Sequence, residues 1–267
     1  MDTKKLFNLT GKTAIVTGAG RNLGQYIAKG LSDYGANVIV VDIFDKFAKT
    51  LSMLNKNSIA LKVDITNNKE VKKLVKIVES KFGSVDILVN NAAICPFQNT
   101  FTVKPEEFMK VIEVNLLGMF LCCRAVFQSM KKRGSGKIIN IASILGIVGQ
   151  DKQIYTDDID NNLDVYAFTS SKGAVINLTR DLAAHWGSFN INVNSISPGM
   201  MMTGNIKKNI NKGNYDENII SRLESRIPLK RLGEPSELIG GVIFLASDAS
   251  NYVNGHNLVI DGGWVCL

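Results

Sequence analysis

Histidine is scarce in this chain, and no cysteine pair has metal-binding spacing. His185 and His256 are too few and too scattered to furnish a metal site. The four cysteines, Cys95, Cys122, Cys123 and Cys266, include no C-x-x-C pair. Neither zinc nor disulfides are supported, and reduced, mostly buried thiols are expected. No uninterrupted apolar run approaches the ~20 residues of a membrane helix. The N-terminal stretch MDTKKLFNLTGK has no apolar h-region. A cytoplasmic protein without a membrane partner is therefore expected. A basic tract is also missing. Net charge is +7 and the pI about 9.1, but lysines and arginines are spread along the chain with no interleaved aromatics. That argues against a nucleic-acid partner and leaves a field that favours anionic small molecules. No linker, repeat or low-complexity segment divides the 267 residues. With 45% hydrophobic residues they suffice for one domain with a large core.

What is present is a strict alternation of buried strands and amphipathic helices. Thr13–Thr17 (TAIVT) reads as a buried strand, then a glycine-rich turn over 18–24, a helix over Leu23–Tyr34, a strand over Asn37–Val41 and an acid, Asp42. Asp42 follows Gly18 at about the ~20-residue spacing of a dinucleotide-binding unit. Further strands are read at Ser58–Val63, Val85–Val89, Lys137–Ile141, Asn190–Ile196 and Asn257–Ile260. Helices are read from Asn67 to about Phe82, from Pro105 to about Lys132, from Val165 to about Trp186 and over Pro235–Ser247. Residues 200–226 are polar, lysine-rich and helical in part. The pattern implies an α/β doubly wound parallel sheet of about seven strands, with helices on both faces. A ligand then sits beyond the carboxyl ends of the strands. The candidate site is made of 18–24, Asp42, Asp64-Ile65, residues 90–93, 142–149 and 197–204.

The ordered motifs are the specific signal. Thr17-Gly18…Gly24, Asp64, Asn90-Asn91-Ala92-Ala93, Asn115 in VNLLG, Ser143 in NIAS, Lys172 in SSKGAV, Pro198-Gly199 and Asp261-Gly262-Gly263 follow one another. Together they resemble the short-chain dehydrogenase/reductase family over nearly the whole chain. The tail FLASDASNYVNGHNLVIDGG is similar to those of gluconate 5-dehydrogenases and related sugar or sugar-acid oxidoreductases, and also to those of 3-oxoacyl-carrier-protein reductases. The resemblance implies a Rossmann-type fold, a nicotinamide cofactor, a small-molecule substrate and a homotetramer paired through the 105–132 and 166–186 helices and the last strand.

Each motif has a physical reading. Gly18 lets backbone approach a pyrophosphate, and the amides at Leu23 and Gly24 open a helix toward negative charge. Asn22 stands where the family has a third glycine, and Asn tolerates positive φ. Asp42 accepts from the adenosine ribose and repels a 2′-phosphate, which argues for NAD; Arg21 is the counter-argument for NADP. The resemblance places Asp64 and Ile65 beside the adenine and Asn91 and Ala92 along the cofactor. It places Met201 and Thr203, after Pro198 and Gly199, at the nicotinamide amide, with plain packing the rival for Met201. It also makes Ser143 the partner of the substrate oxygen, Asn115 the holder of a water that links Lys172 to solvent, and Lys172 the neighbour of a catalytic tyrosine four residues earlier. A tyrosine of pKa ~10 is drawn toward neutrality there by the ammonium and the oxidised nicotinamide.

That tyrosine is missing: residue 168 is phenylalanine. Three readings follow, in this order. Phe168 is an introduced Tyr→Phe change that leaves Asn115, Ser143 and Lys172 intact; or the chain is a natural NAD-binding relative without catalysis; or Tyr166 or Tyr155 supplies the hydroxyl. The Ser143–Phe168 interval is about twice the family's length. Its excess, QDKQIYTDDIDNNLD (insertion about 149–165), is either a solvated loop or a rim of the substrate pocket. The 200–226 segment corresponds to the family's substrate lid. Its Lys207, Lys208, Lys212, Arg222 and Arg226 suggest a carboxylate or phosphate on the substrate. The expectation is an NAD-dependent oxidoreductase acting on a secondary alcohol or ketone of a sugar or sugar acid, impaired by Phe168. Reduction of acyl or steroid ketones is the enzymatic alternative.

Overall fold

The computed structural model describes residues 3–99, 101–151, 154, 164–211 and 218–267. Seven strands form one sheet among these residues: β1 (Thr13–Thr17), β2 (Asn37–Asp42), β3 (Ile59–Lys62), β4 (Ile87–Asn90), β5 (Gly136–Ile141), β6 (Ile191–Pro198) and β7 (Asn257–Ile260). All neighbours pair in parallel, in the order β3-β2-β1-β4-β5-β6-β7. Strand order reverses between β1 and β4, which creates a crevice at their carboxyl ends. The central strands are apolar runs because both of their faces are covered. β4 starts two residues later than the apolar run suggests. Asp86 is occupied at that point, its Oδ2 accepting from the Thr13 amide at 2.8 Å.

The helices are α1 (Leu23–Asp33), α2 (Ala48–Leu51), α3 (Asn68–Phe82), α4 (Pro105–Ile112), α5 (Met119–Arg133), α6 (Tyr166–Trp186), α7 (Gly204–Asn211), α8 (Ile219–Arg226) and α9 (Ile239–Ala246). α1 and α9 cover one face of the sheet, burying Ile27, Leu31, Val242 and Ile243 against Val16, Val38 and Ile139. α3, α5 and α6 cover the other, with Leu74, Val78, Cys123, Val126 and Val175 against Ile15, Leu88 and Ile138. α3 shows why such helices form here. The Asn67 side chain caps the amides of Lys69 and Glu70, a buried stripe runs through Val71, Leu74, Val75 and Val78, and Gly83 at φ 84° ends the helix. α7 and α8 belong to a third cluster, Ile206, Ile219 and Leu223 packing with Ile144, Ile154 and Trp264.

Two expectations are corrected. The helix read as continuous from Pro105 is interrupted by a π-helical turn over Glu113–Gly118. At its end Gly118 lies close against Ile65, where an added Cβ would come within 2.9 Å of the side chain. The wider turn lets Asn115 bond sideways instead of into the next turn. The run Pro105–Arg133 is also long and apolar enough to cross a membrane by length and composition. Its apolarity serves the sheet, since Val111, Met119, Cys122, Cys123, Val126 and Met130 are buried in the core. Of the cysteines, all free, Cys122 and Cys123 are buried while Cys95 and Cys266 are exposed.

Candidate active site

The carboxyl ends of β1–β6 open into a single cavity of about 850 Å³. One end is built by β1, β2 and β3. Gly18 has φ 65°, and an added Cβ would meet the Ala92 Cα at 2.7 Å, so only glycine brings the turn this close to the end of β4. Thr17 Oγ1 accepts from the amides of Asn91 and Ala92, both at 3.1 Å, while Asn91 Nδ2 donates to the carbonyls of Thr17 and Gly18 at 3.0 and 3.1 Å. These bonds lock the glycine turn to the strand across the crevice. α1 begins just behind it with no acidic residue in its first turn and no capping bond from the Asn22 side chain. Its amides thus present an anion-binding end to the cavity.

Asp42 is buried at the end of β2, with Oδ2 accepting from the Gly20 amide at 3.0 Å and Oδ1 from Phe44 at 3.1 Å. The Arg21 guanidinium lies 5.3 Å from the centroid of the Phe44 ring. Asp64 Oδ1 accepts from the Thr66 amide and hydroxyl at 2.9 and 2.7 Å, which fixes the loop that carries Ile65 into the wall.

The other end is built by β5, β6 and α6. Ser143, extended at φ −169°, accepts at Oγ from the Leu145 amide at 3.1 Å. Lys172 is 3% exposed, and its Nζ donates to the Ile141 carbonyl at 2.6 Å. Burial pulls its pKa from 10.5 down to about 8, with nearby Cys95 opposing. The Phe168 ring lies below, its centroid 5.5 Å from Nζ. Burial pushes the Cys95 thiol up to about 12, with Lys172 opposing.

The cavity wall brings together Gly18, Arg21, Asn22, Leu23, Asp42, Asp64, Ile65, Asn91, Ala92, Ser143, Phe168, Lys172, Pro198, Gly199 and Thr203. Gly24, Asn115 and Met201 are not among the lining residues. Gly24 sits behind the turn, against Ala19 and Asn91. Asn115 is 1% exposed. It accepts from the Ile94 amide and donates to the Ile94 carbonyl, both at 2.9 Å, and donates to Ser171 Oγ at 3.0 Å. It pins the cavity wall to α6. Met201 is 7% exposed, packs its sulfur against Gly233 and pairs with it as an isolated bridge, which fits the packing alternative. Tyr166 is the first residue of α6 and 52% exposed. Two steps of ~100° turn it to the side of the helix away from Phe168, and it does not line the cavity. Tyr155, Lys212 and the Lys207 side chain lie outside the described residues. Arg222 Nε donates to the Ile154 carbonyl at 2.7 Å and Arg226 stacks on Trp264; neither lines the cavity, and Lys208 is exposed.

Reasoning from sequence missed Phe44, Cys95 and Lys110, all in the wall. Phe44 and Cys95 carried a usable signal, since each lies just past a strand end. Lys110 carried none, because its place depends on how α4 packs.

Comparison with known proteins fits this geometry. The family model described as enoyl-(acyl carrier protein) reductase matches residues 18–265. The 5-keto-D-gluconate 5-reductase of Escherichia coli K12 is 37% identical over 97% of both chains. The NAD-dependent glycerol dehydrogenase of Listeria innocua is 34% identical over 97% of this chain and 96% of its own. Among solved structures, a short-chain type dehydrogenase/reductase from Mycobacterium marinum superposes with a TM-score of 0.85 at 31% identity, covering 99% of each chain. The gluconate 5-dehydrogenase of Burkholderia cenocepacia, in complex with NADP and tartrate, does so at 0.87 and 31%, covering 98% of each.

Proposed function

This chain belongs to the short-chain dehydrogenase/reductase family, and from that premise we propose that it is an NAD-dependent oxidoreductase interconverting a secondary alcohol and a ketone of a sugar or sugar acid, slowed by Phe168. One observation carries this: a single cavity runs from the Asp42 carboxylate to Ser143, Phe168 and Lys172. The residues present suit the cofactor. Gly18 holds the turn against the end of β4, and the uncapped start of α1 faces negative charge. Asp42 accepts from ribose hydroxyls and disfavours a 2′-phosphate, while Arg21 is occupied by Phe44. Asp64 and Ile65 flank the adenine; Asn91, Ala92, Pro198, Gly199 and Thr203 line the remainder. When bound, the nicotinamide supplies the two-electron acceptor or donor. Ser143 holds the substrate oxygen by a hydrogen bond, and Lys172 binds and orients from α6. Residues 200–226 serve as substrate lid. The chain works as a homotetramer, a reading supported by the exposed Met109, Leu117 and Tyr166 on the outer surfaces of the 105–133 and 166–186 helices.

Phe168→Tyr tests the proposal. We expect turnover of D-gluconate, 5-keto-D-gluconate or glycerol with NAD(H) to rise about 10²–10⁴-fold, the usual worth of a positioned general acid. No gain on any of them would remove the role given to residue 168. Gain confined to an acetoacetyl thioester would move the substrate to acyl ketones, a reading favoured by Ile94 and Pro96 in the wall.

A further inference from the structure

With no hydroxyl on residue 168, the proton of the alcohol still needs a partner. Among the described residues lining the catalytic end of the cavity, the titratable groups are Lys172 and Cys95. Lys172 is the better placed. Its amine lies in the wall beside Phe168, above the ring that carries the family's hydroxyl when tyrosine is present. Its position is rigid. Nζ is tied to the Ile141 carbonyl at 2.6 Å, and Gly146 lies so close to the Lys172 backbone that a Cβ there would come within 2.6 Å of its carbonyl carbon. One N–H is used by Ile141, and the ammonium has two more for a ligand. The surrounding groups do not offer a competing charge. Ser143 follows β5 and is neutral. Asn115, from the π turn, is committed to Ile94 and Ser171. Cys95, from the segment after β4, is exposed as a residue, and its raised pKa keeps the thiol neutral near neutral pH. The carboxylates of the cavity, Asp42 and Asp64, follow β2 and β3 on the other side of the crevice.

We propose that in this chain Lys172 is itself the proton acceptor and donor of the alcohol–ketone interconversion, acting across the Phe168 ring directly or through one solvent molecule. The proposal rests on the oxidoreductase reading above. In the oxidative direction the substrate O–H bond breaks and its proton passes to the neutral Lys172 amine. The carbonyl π bond forms as the C–H hydrogen leaves with its electron pair for the nicotinamide. The alcohol is oxidised, NAD⁺ is reduced, and Lys172 returns the proton to solvent. Burial lowers the lysine to about 8, so both of its forms are populated at working pH. Oxidation then rises as pH passes upward through about 8, and ketone reduction falls through the same midpoint.

Two measurements on the full chain test this. Trace acetylation with acetic anhydride from about pH 6 to 10, mapped by mass spectrometry, reports the titration of the Lys172 amine without substrate and without any variant having to fold. Turnover with NAD⁺ and D-gluconate or glycerol, and with NADH and 5-keto-D-gluconate, gives the pH profiles; Phe168→Tyr identifies which of these is accepted. We expect Lys172 to titrate near 8 and the residual rate of the unsubstituted chain to follow that midpoint. Lys172→Arg keeps the cation but cannot exchange its proton at this pH. It should lose the residual rate at least about tenfold, together with its pH dependence, while NADH still quenches protein fluorescence. The proposal is overturned if Lys172 titrates in the ordinary lysine range. It is equally overturned if Lys172→Arg retains rate and midpoint, or if the unsubstituted chain is inert on a substrate that Phe168→Tyr turns over. Failure of both forms to bind NADH would sink the oxidoreductase reading itself, and this proposal with it.

Discussion

Asn22 holds φ 51° and ψ −138°, a backbone conformation close to the first central position of a type II′ turn, which glycine dominates. The family's glycine is gone but its conformation is kept. A side chain held there costs about 1–3 kcal/mol unless its surroundings repay it. We expect Asn22→Gly to raise the melting temperature by about 2–4 °C, the shift that roughly 1 kcal/mol gives in a domain of this size. Thermal unfolding followed by circular dichroism checks this, and an unchanged or lowered midpoint would show that the asparagine is not strained. On the proposed reading Phe168 is the opposite kind of departure, a change that keeps the ring and leaves the fold untouched.

Lysines, one half-buried and one buried, join elements that the sheet alone does not. Lys137 leaves β5 to donate to Asn192 Oδ1 on β6 at 2.9 Å and to Asn251 Oδ1 at 2.8 Å, with neutral oxygens as its partners. Burial lowers it to about 8, as it does Lys172. In the unfolded chain both titrate near 10.5. Between those values the unfolded state binds more protons, so stability rises with pH from about 8. The thiols of Cys122 and Cys123, both fully buried, act in the opposite sense. Burial pushes both above the ordinary 9.0, so the unfolded chain loses those protons first and stability falls as pH climbs past about 9. Cys95 is exposed and adds little. Urea unfolding should therefore show a midpoint that increases from pH 7.5 to about 9 and then levels or declines. Lys137→Met should flatten the rise. A midpoint already falling between pH 8 and 9 would contradict this.

The fold of the whole molecule was legible because its central strands are buried on both faces and read as uninterrupted apolar runs between glycine, asparagine and proline breaks. TAIVT and NVIVV, with the residues that follow them, place Gly18 and Asp42 at strand ends from the sequence alone. The π turn was not legible, because its apolar residues have the same spacing as those of the helix around it. The pairing of Met201 with Gly233 was not legible either, because Gly233 lies far along the chain. The partners of Arg222 and Arg226, the Ile154 carbonyl and the Trp264 ring, come from distant parts of the chain and were not legible. A positive net charge of +7 thus says little about the cavity, whose lining cations are Arg21, Lys110 and Lys172.

The most direct test of a cofactor site closed by Asp42 is a competition between the two reduced nicotinamide dinucleotides on the unsubstituted chain, followed by nicotinamide fluorescence and by calorimetry. We expect NADH to bind in the micromolar range or tighter, and NADPH at least about tenfold more weakly, because the proposed reading sets the buried Asp42 carboxylate against the 2′-position. Binding of neither dinucleotide, or of both equally, would contradict it.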